Sequence, residues 1–178
     1  MKIYTRTGDG GETSLFDGTR ARKDDARVDA YGEVDEVNAW LGFVRASKPD
    51  ATVDEALLLI QRDLFALGAQ LADPGDRLAA RVTKAVIADD HVARLEALID
   101  RLEEGLPPLR RFILAGGTPC GAALHLARAV CRRAERRIIS LEPPVELVFL
   151  KYINRLSDLL FVIARVANKR AGVAETEW

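Results

Sequence analysis

The sequence has few cysteines, few aromatic residues and no long apolar run. Its two cysteines, Cys120 and Cys131, form no C-x-x-C pair, which argues against a disulfide framework or a structural zinc site and suits a reducing cytosol. No apolar run approaches the roughly 20 residues that span a bilayer. The N-terminus carries no apolar signal core, so we expect a cytoplasmic protein.

The sequence also has few histidines and almost no net charge. His91 and His125 are the only histidines, too few to favour a metal-ligand cluster or a histidine-based catalytic triad. No Glu-x-x-His spacing occurs, which excludes the ferritin-like di-iron site of helical bundles. We therefore expect no protein metal site. The formal net charge of −1 provides no basic field for nucleic acid or an anionic membrane, so a bound anion needs a local cluster of donors.

At 178 residues the chain is long enough for one domain with a real core. It divides into an N-terminal arm, residues 1–25, whose density of glycine and hydroxyl residues opposes regular helix, and a body, residues 26–178, with apolar residues at helical spacing. Pro- and Gly-rich segments separate the apolar stretches. We predict an all-α antiparallel bundle of five helices, at 28–47, 53–71, 88–104, 119–141 and 142–171.

The arm contains the segment TRTGDGGETSL, which offers backbone N–H groups, hydroxyls and the cation Arg6. A glycine-permissive loop of this kind can wrap phosphate groups with amide donors. It is not a Walker A loop, because Gly-Glu-Thr-Ser stands where Gly-Lys-Ser/Thr is needed. From the residues alone, a flexible tail fits the arm as well as a phosphate loop does.

The predicted fourth helix carries the basic run RAVCRRAERR. Thr118 and Pro119 supply a capping residue and a first helical residue. Helical spacing puts an apolar set on one side, Leu126, Ala127, Val130, Ala134, Ile138 and Leu141, and a polar set on the other, His125, Arg128, Arg132, Glu135 and Arg136. Guanidinium groups suit the oxygens of a triphosphate, but a solvated amphipathic face is the commoner reason for such a run.

The predicted last helix is apolar around almost its whole circumference, which indicates burial. Four polar residues nevertheless form one stripe along it: Asn154, Asp158, Arg165 and Asn168. Buried polar groups need partners. The stripe therefore indicates that something polar is held inside the bundle or between bundles.

Two acidic residues, Asp35 and Glu36, fall on the predicted first helix. Asp35 shares a face with Tyr31 and Asn38, whereas Glu36 points to the far side. The carboxylate of Asp35 can pair with an arginine of another subunit or simply face water, and composition does not decide between these alternatives.

Four segments together resemble the PduO-type ATP:cob(I)alamin adenosyltransferases. They are YTRTGDGGETSLFDG, KDDARVDAYGEVDEVNAWLG, RRFILAGGTPCGAALHLARAVCRRAERR and YINRLSDLLFVIARVAN, and they follow in the family's order and spacing over most of the chain. Ala115 departs from the pattern, since the family usually carries proline before the paired glycines. We expect this change to loosen the turn after Phe112 slightly. The resemblance implies the stand-alone form of the family.

The resemblance implies a five-helix bundle that forms a homotrimer, with active sites between adjacent subunits and an ordered ATP-binding arm. It implies that Phe112 lies beneath the corrin ring, and that Asp35 and Arg128 form a salt bridge across the subunit interface. Arg132 and Phe112 are the implied catalytic residues. The implied ATP contacts are Thr5, Arg6, Thr7, Gly8, Thr13, Ser14, Lys23, Arg132, Arg133, Ala134, Glu135, Arg136 and Asn154.

The implied reaction moves the 5′-deoxyadenosyl group of ATP onto Co(I) of reduced cobalamin and releases triphosphate. ATP with Mg²⁺ and a corrinoid are the implied substrates, and Arg132 with Lys23 would stabilise charge on the departing triphosphate. Phe112 would exclude the lower ligand of cobalt, which eases reduction of Co(II). A flavoprotein reductase and a cobalamin-dependent acceptor enzyme are further partners to expect.

Two other functions stay open from the sequence. A non-catalytic corrinoid carrier would use the cobalamin pocket without needing the phosphate loop or the arginines. A nucleotide-sensing regulatory bundle would need ATP but not Phe112. Incubation with reduced cobalamin and ATP separates the three, because only the adenosyltransferase forms the adenosylated product.

Overall fold

The computed structural model describes residues 2–75 and 86–178. In these residues five α-helices follow a short antiparallel hairpin, in which Thr13 lies opposite Ala21. The elements in chain order are β1 (Glu12–Ser14), β2 (Arg20–Arg22), α1 (Ala26–Ala46), α2 (Ala51–Leu71), α3 (Asp89–Glu103), α4 (Pro119–Ile139) and α5 (Leu147–Arg170). The predicted all-α bundle of five helices is confirmed, and the hairpin inside the arm is an addition to it.

Side-chain caps set the start of three helices. Asp25 accepts a hydrogen bond from the backbone of Arg27 at the start of α1, and Asp50 accepts one from Val53 at the start of α2. Thr118 accepts from the backbone of Gly121 at 3.0 Å, with proline at the first helical position of α4, as predicted. These caps satisfy amide donors that the first helical turn leaves unpaired.

The predicted ends of α1 to α4 agree with the structure to within about two residues, which is the usual scatter of helix boundaries. The predicted start of α5 at Glu142 is wrong, because the helix begins at Leu147. Pro143 and Pro144 explain the error. Each proline disfavours helical backbone at the residue before it, and two in succession keep Glu142 and Pro143 out of a helix.

The core lies where α4 packs against both α1 and α5, with α2 on the outer side of α1 and α3 against α5. Aliphatic side chains fill it, including Leu41, Leu64, Leu124, Ile153 and Leu160, all nearly inaccessible to solvent. α5 is buried on most of its circumference, as its composition predicts. Within the described part of the chain, no helix has the length and apolar character needed to cross a membrane.

A buried polar cluster fastens α3 to the bundle. The hydroxyl of Tyr152 on α5 donates to Asp63 on α2 at 2.9 Å, and Arg94 on α3 pairs with the same carboxylate. Burial and the neighbouring Asp63 raise the pKa of Tyr152, which stays a neutral donor. The cluster satisfies a carboxylate that would otherwise be costly to bury.

Candidate active site

The first turns of the arm bring predicted nucleotide-binding groups together. The hydroxyls of Thr5 and Thr7 lie 2.9 Å apart. Arg6 between them has φ of 64°, a left-handed conformation that non-glycine residues seldom adopt. Strained backbone of this kind persists where surrounding contacts hold it, and it often marks a functional site.

Lys23 lies over the glycine turn of the arm. Its backbone N–H donates to the carbonyl of Gly11 at 2.8 Å. A methyl group added at Gly8 would lie 3.3 Å from Nζ of Lys23. The ammonium group and the turn at Gly8 therefore face the same small space, so a phosphate there would meet both a cation and backbone amides.

Contacts with the body fix the hairpin of the arm. The backbone N–H of Phe16 donates to the carbonyl of Ala72, just after α2, at 2.9 Å. Tyr31 on α1 lies close to Thr13 in β1, and burial raises the pKa of that tyrosine. Arg20 spans the hairpin by donating to Ser14 Oγ at 3.2 Å. The hairpin of the arm is thus attached to the end of α2.

A cavity of about 360 Å³ lies between the hairpin, α1 and α2. Asp35, Tyr31 and Asn38 line its α1 side, which confirms that these residues share a face. Oδ1 of Asn38 is buried and has no hydrogen-bond partner among the described residues. Buried acceptors are normally satisfied, so this wall of the cavity is suited to a donor from outside the chain.

The arginines of the basic run on α4 fall into two sets with different surroundings. Arg133 binds both oxygens of Glu33 on α1 at 2.7 Å and also pairs with Glu36. Arg137 pairs with Asp29, again on α1, at 2.9 Å. These two arginines hold α4 against α1, and the side chain of Arg133 stays 42% exposed beside its two carboxylate partners.

Arg132 and Arg136 remain available on the surface of α4. Both are exposed, and neither side chain makes an ion pair or hydrogen bond within residues 2–75 and 86–178. Glu135 between them accepts a hydrogen bond from Asn154 on α5 at 2.9 Å. Ala134 is fully buried in the core, so its side chain is not part of this surface. We call Arg132, Glu135, Arg136 and Asn154 the basic strip.

The polar stripe of α5 proves to have two different parts. Asn154 and Asp158 are exposed, and Asp158 pairs with Arg155 at 2.8 Å. Arg165 and Asn168 are buried, but the chain itself supplies their partners: Arg165 binds Glu175 and the carbonyl of Pro107. The inference of a held polar group is right for this half, and the group held is the protein's own backbone and C-terminal segment.

Phe112 lies in a segment that pairs with residues 176–178. Leu114 donates to the carbonyl of Thr176 at 2.8 Å, and Trp178 donates to the carbonyl of Phe112 at 2.9 Å. The side chain of Phe112 is 81% exposed. Its backbone is therefore fixed while its ring is free to meet a ligand. The two hydrogen bonds lie on the N-terminal side of Ala115.

The turn after Ala115 is held by Asn168 of α5. Its Oδ1 accepts from both the backbone N–H and the hydroxyl of Thr118 at 2.9 Å, and its Nδ2 donates to the carbonyl of Gly116 at 3.0 Å. Gly117 has φ of 96°, and a methyl group there would lie 2.2 Å from this amide. The turn thus requires glycine at this position.

Two residues of α4 differ from the predicted faces. His125, placed on the polar side, is buried and lies edge-on to Phe161, with ring centroids 5.9 Å apart. Leu126, placed on the apolar side, is 51% exposed. The helix packs against two neighbours, α1 and α5. The prediction assumed one apolar stripe, and a helix with two packed sides does not follow that division.

Arg128 and Asp35 do not meet within one chain. The guanidinium of Arg128 lies 5.3 Å from the ring centroid of Phe161 on α5. Asp35 lines the cavity beside α2, and no ion pair joins the two among the described residues. A salt bridge between them would therefore need two copies of the chain.

Neither cysteine offers a reactive thiol. Cys131 is fully buried and donates to the carbonyl of Ile153 at 3.3 Å. Cys120 is half-buried, and burial raises the pKa of both thiols. Both are free, as the sequence predicts. Within the described residues no group of three or more His, Cys, Asp or Glu side chains is placed to hold a metal ion.

Comparison with known proteins assigns the chain to a family. A family model described as cobalamin adenosyltransferase matches residues 3–167, which include the arm, the basic strip and Phe112. The chain belongs to the cobalamin adenosyltransferase family. The corrinoid adenosyltransferase of Bacillus subtilis is 41% identical over 186 residues, covering 100% of this chain and 92% of that protein. That of Mycobacterium tuberculosis strain H37Rv is 45% identical over 172 residues, covering 94% and 89%.

Cobalamin adenosyltransferases of known structure share the fold closely. A phenylalanine-to-histidine variant of a PduO-type ATP:corrinoid adenosyltransferase from Lactobacillus reuteri, complexed with cobalamin and ATP, superimposes with a TM-score of 0.91 at 38% identity. That comparison covers 99% of this chain and 96% of the other. The resemblance inferred from the four sequence segments is confirmed. Residues 168–178 lie beyond the part that matches the family model.

Proposed function

We propose that this chain transfers the 5′-deoxyadenosyl group of ATP to Co(I) of a reduced corrinoid such as cobalamin, with release of triphosphate. The family match across residues 3–167 carries the proposal, because it includes the arm, the basic strip and the exposed ring of Phe112. The Lactobacillus reuteri neighbour complexed with cobalamin and ATP supports the same pair of substrates here.

The nucleotide binds between the arm and the basic strip. Thr5, Arg6, Thr7 and Gly8, with Thr13, Ser14 and Lys23, supply hydroxyls, amides and cations on the arm side. Arg132 and Arg136 supply guanidinium groups whose planar donors match phosphate oxygens. Mg²⁺ comes with the triphosphate, since this ion is usually held through substrate phosphates. Arg133 acts indirectly, by keeping α4 against α1.

The active site forms between subunits of a homotrimer. Three observations support this arrangement. The arm contacts α1 and α2, whereas the basic strip lies on α4 and α5. Asp35 and Arg128 do not meet in one chain. The buried oxygen of Asn38, in the same cavity wall as Asp35, needs an outside donor. A neighbouring copy that inserts Arg128 beside Asp35 brings guanidinium donors to this wall of the cavity.

The corrinoid binds with its lower face on Phe112. An aromatic side chain cannot coordinate cobalt, so a ring in this position excludes both the nucleotide tail and water from the lower axial site. Loss of the axial donor lowers the energy of the orbital that accepts an electron, which brings reduction to Co(I) within the reach of a flavoprotein. The free thiols of Cys120 and Cys131 suit the reducing cytoplasm in which such a donor is found.

In the chemical step the electron pair of Co(I) attacks the ribose C5′ carbon. A cobalt–carbon bond forms, the C5′–O bond breaks, and its electron pair leaves with the triphosphate. No proton moves, so no general base is needed. Arg132 opposes the charge that develops on the leaving group, and alignment of cobalt, C5′ and oxygen supplies much of the remaining acceleration.

The decisive experiment is incubation with chemically reduced cobalamin and Mg-ATP, followed by the absorption spectrum of the corrinoid and assay of triphosphate. Adenosylcobalamin and triphosphate in equal amounts support the proposal. Corrinoid binding without product would instead identify a carrier. Nucleotide binding without corrinoid binding would identify a regulatory bundle.

A further inference from the structure

Arg20 lies on β2 directly opposite Ser14 on β1, and its guanidinium group contacts three residues of the arm. Nη2 donates to the backbone carbonyl of Thr7 at 2.9 Å and to Oε2 of Glu12 at 3.3 Å. Nη1 donates to Oγ of Ser14 at 3.2 Å. One side chain therefore ties the turn at Thr7, 13 residues away in the chain, to the strands of the hairpin.

Two of these contacts orient donor groups of the proposed nucleotide site. A hydroxyl oxygen that accepts from a guanidinium keeps its own hydrogen free to donate, so Ser14 remains a donor for a phosphate oxygen. The trans peptide between Thr7 and Gly8 is planar, and its C=O and N–H groups point in opposite directions. A Thr7 carbonyl bound to Arg20 therefore directs the N–H of Gly8 away from Arg20, where it is free to meet a phosphate.

Arg22 on the same strand has different surroundings. Alternate residues of a strand share a face, so Arg20 and Arg22 project from the same side of β2. The side chain of Arg22 pairs with its neighbour Asp24 at 2.7 Å and is 77% exposed, whereas that of Arg20 is 40% exposed. The two arginines match in charge and in strand face, but the bonds to Thr7 and Ser14 belong to Arg20.

We propose that Arg20 is a positioning residue of the nucleotide site, which holds the turn at Thr7 and Gly8 against the hairpin before ATP binds. The proposal rests on the proposed function, since it assigns Arg20 to the same ATP site. The guanidinium donates to protein acceptors, so it acts through Thr7 and Ser14 and not as a phosphate ligand. A site that is ordered beforehand loses less conformational entropy on binding. Arg20 therefore sets the affinity for ATP and leaves the chemical step unchanged.

The first test separates ATP affinity from turnover in three variants, Arg20→Ala, Arg20→Lys and, as the matched control, Arg22→Ala. Isothermal titration with ATP gives Kd, and the reaction with reduced cobalamin gives KM and kcat. We expect Arg20→Ala to raise Kd and KM for ATP by about tenfold, with kcat at saturating ATP within about twofold of the parent value. Arg20→Lys should resemble Arg20→Ala, because an ammonium lacks the planar fork that reaches several acceptors. Arg22→Ala should stay near the parent values.

Two further measurements show whether Arg20 acts through the arm. In a double-mutant cycle with Ser14→Ala, the combined rise in KM for ATP should be clearly smaller than the product of the separate effects. Hydrogen exchange of the nucleotide-free protein should become faster at the amides of Asp9 and Gly11, which donate within the glycine turns, in Arg20→Ala but not in Arg22→Ala. This second measurement does not depend on catalysis.

Three results would overturn the role of Arg20. A fall in kcat of about tenfold or more for Arg20→Ala at saturating ATP would show a contact that is made in the transition state. Recovery of the parent KM in Arg20→Lys would show that charge alone is sufficient. Unchanged KM and unchanged exchange in Arg20→Ala would show that the turn needs no support from this side chain. Absence of product in the parent protein would instead reject the proposed function, whereas the exchange result would still test the link between Arg20 and the turn.

Discussion

Arg165 and Glu175 form an ion pair with Nε 2.6 Å from Oε1, in which the arginine side chain is 3% exposed and the glutamate side chain 23%. The pair closes the C-terminal segment onto α5. A buried ion pair gains little over an apolar pair of the same shape, but removal of one partner strands the other charge. The loss of Glu175 should therefore be costly.

We expect Glu175→Ala to reduce the free energy of unfolding by about 3 kcal/mol, because Arg165 would keep a buried charge without its carboxylate. Glu177→Ala is the control two residues away. It removes an exposed pair with Arg111 and should cost less than about 0.5 kcal/mol. Urea denaturation of both variants measures the difference. Similar losses in the two variants would show that Arg165 finds another partner.

The paired glycines after Ala115 offer a second matched comparison. Gly117→Ala puts a methyl group against the amide of Asn168 and strains a backbone with positive φ. It should cost about 2 kcal/mol or more of stability. Gly116→Ala meets open space and should change stability by less than about 1 kcal/mol. Thermal denaturation followed by circular dichroism is sufficient, and the reverse ranking would contradict the described turn.

Adjacent arginines of α4 should separate catalysis from stability. Arg133→Ala leaves Glu33, whose side chain is 12% exposed, without its cation, and should cost about 2 kcal/mol of unfolding free energy. Arg132→Ala removes no ion pair with any residue that the structure describes, and it should leave stability within about 0.5 kcal/mol. Its kcat should fall about 100-fold or more if the residue stabilises the leaving triphosphate. A change confined to KM for ATP would indicate that Arg132 only binds.

Phe112→Ala tests the role of the exposed ring in reduction. The side chain makes little contact with the core, so stability and ATP affinity should stay close to the parent values. Turnover with Co(II) cobalamin and a flavin reductant should fall by about 100-fold or more, the scale of a lost transition-state contact. Isothermal titration with ATP serves as the internal control. Near-normal turnover in this variant would reject the assignment.

His125 should make the free energy of unfolding depend on pH, in a direction set by its lowered pKa. Burial, followed by the charge of Arg128, lowers the pKa of this histidine below its ordinary value. The unfolded chain then binds the proton more readily, so stability is full above about pH 6.5 and falls as the pH drops below that value. His125→Phe should remove this part of the decline below about pH 6.5. Urea midpoints at several pH values measure it, with His91 unchanged in both proteins. An unaltered decline would assign it to other groups.

The helices were predictable because their signals are local. Apolar spacing and stop residues place α1 to α4 to within about two residues. The two strands of the arm are three residues each, too short for an alternating pattern to be seen. The start of α5 was missed because two prolines were taken as a first-turn signal, although consecutive prolines oppose helical backbone before them.

The sequence predicted which residue types form the candidate site, but not which of them pair with one another. The basic run was visible, yet nothing in its spacing tells Arg132 from Arg133. The difference comes from Glu33 and Glu36, about 100 residues away in the chain. In the same way, the stripe on α5 indicated buried polar groups. Their partners at Pro107 and Gly116 are backbone carbonyls, which composition cannot reveal. The pairing of Phe112 with Trp178 had no sequence signal at all.

The hydrogen bond from Phe16 to Ala72 has a mechanical consequence for the arm. It fixes the loop of the hairpin to the end of α2, and Arg20 and Lys23 of the same hairpin donate to the carbonyls of Thr7 and Gly11. The glycine turns around Gly8 thus rest on a base attached to the bundle, so closing them over a nucleotide costs the entropy of only a few residues. A bound nucleotide should leave the Phe16 amide as slow to exchange with deuterium as before, while the amides near Gly8 become slower.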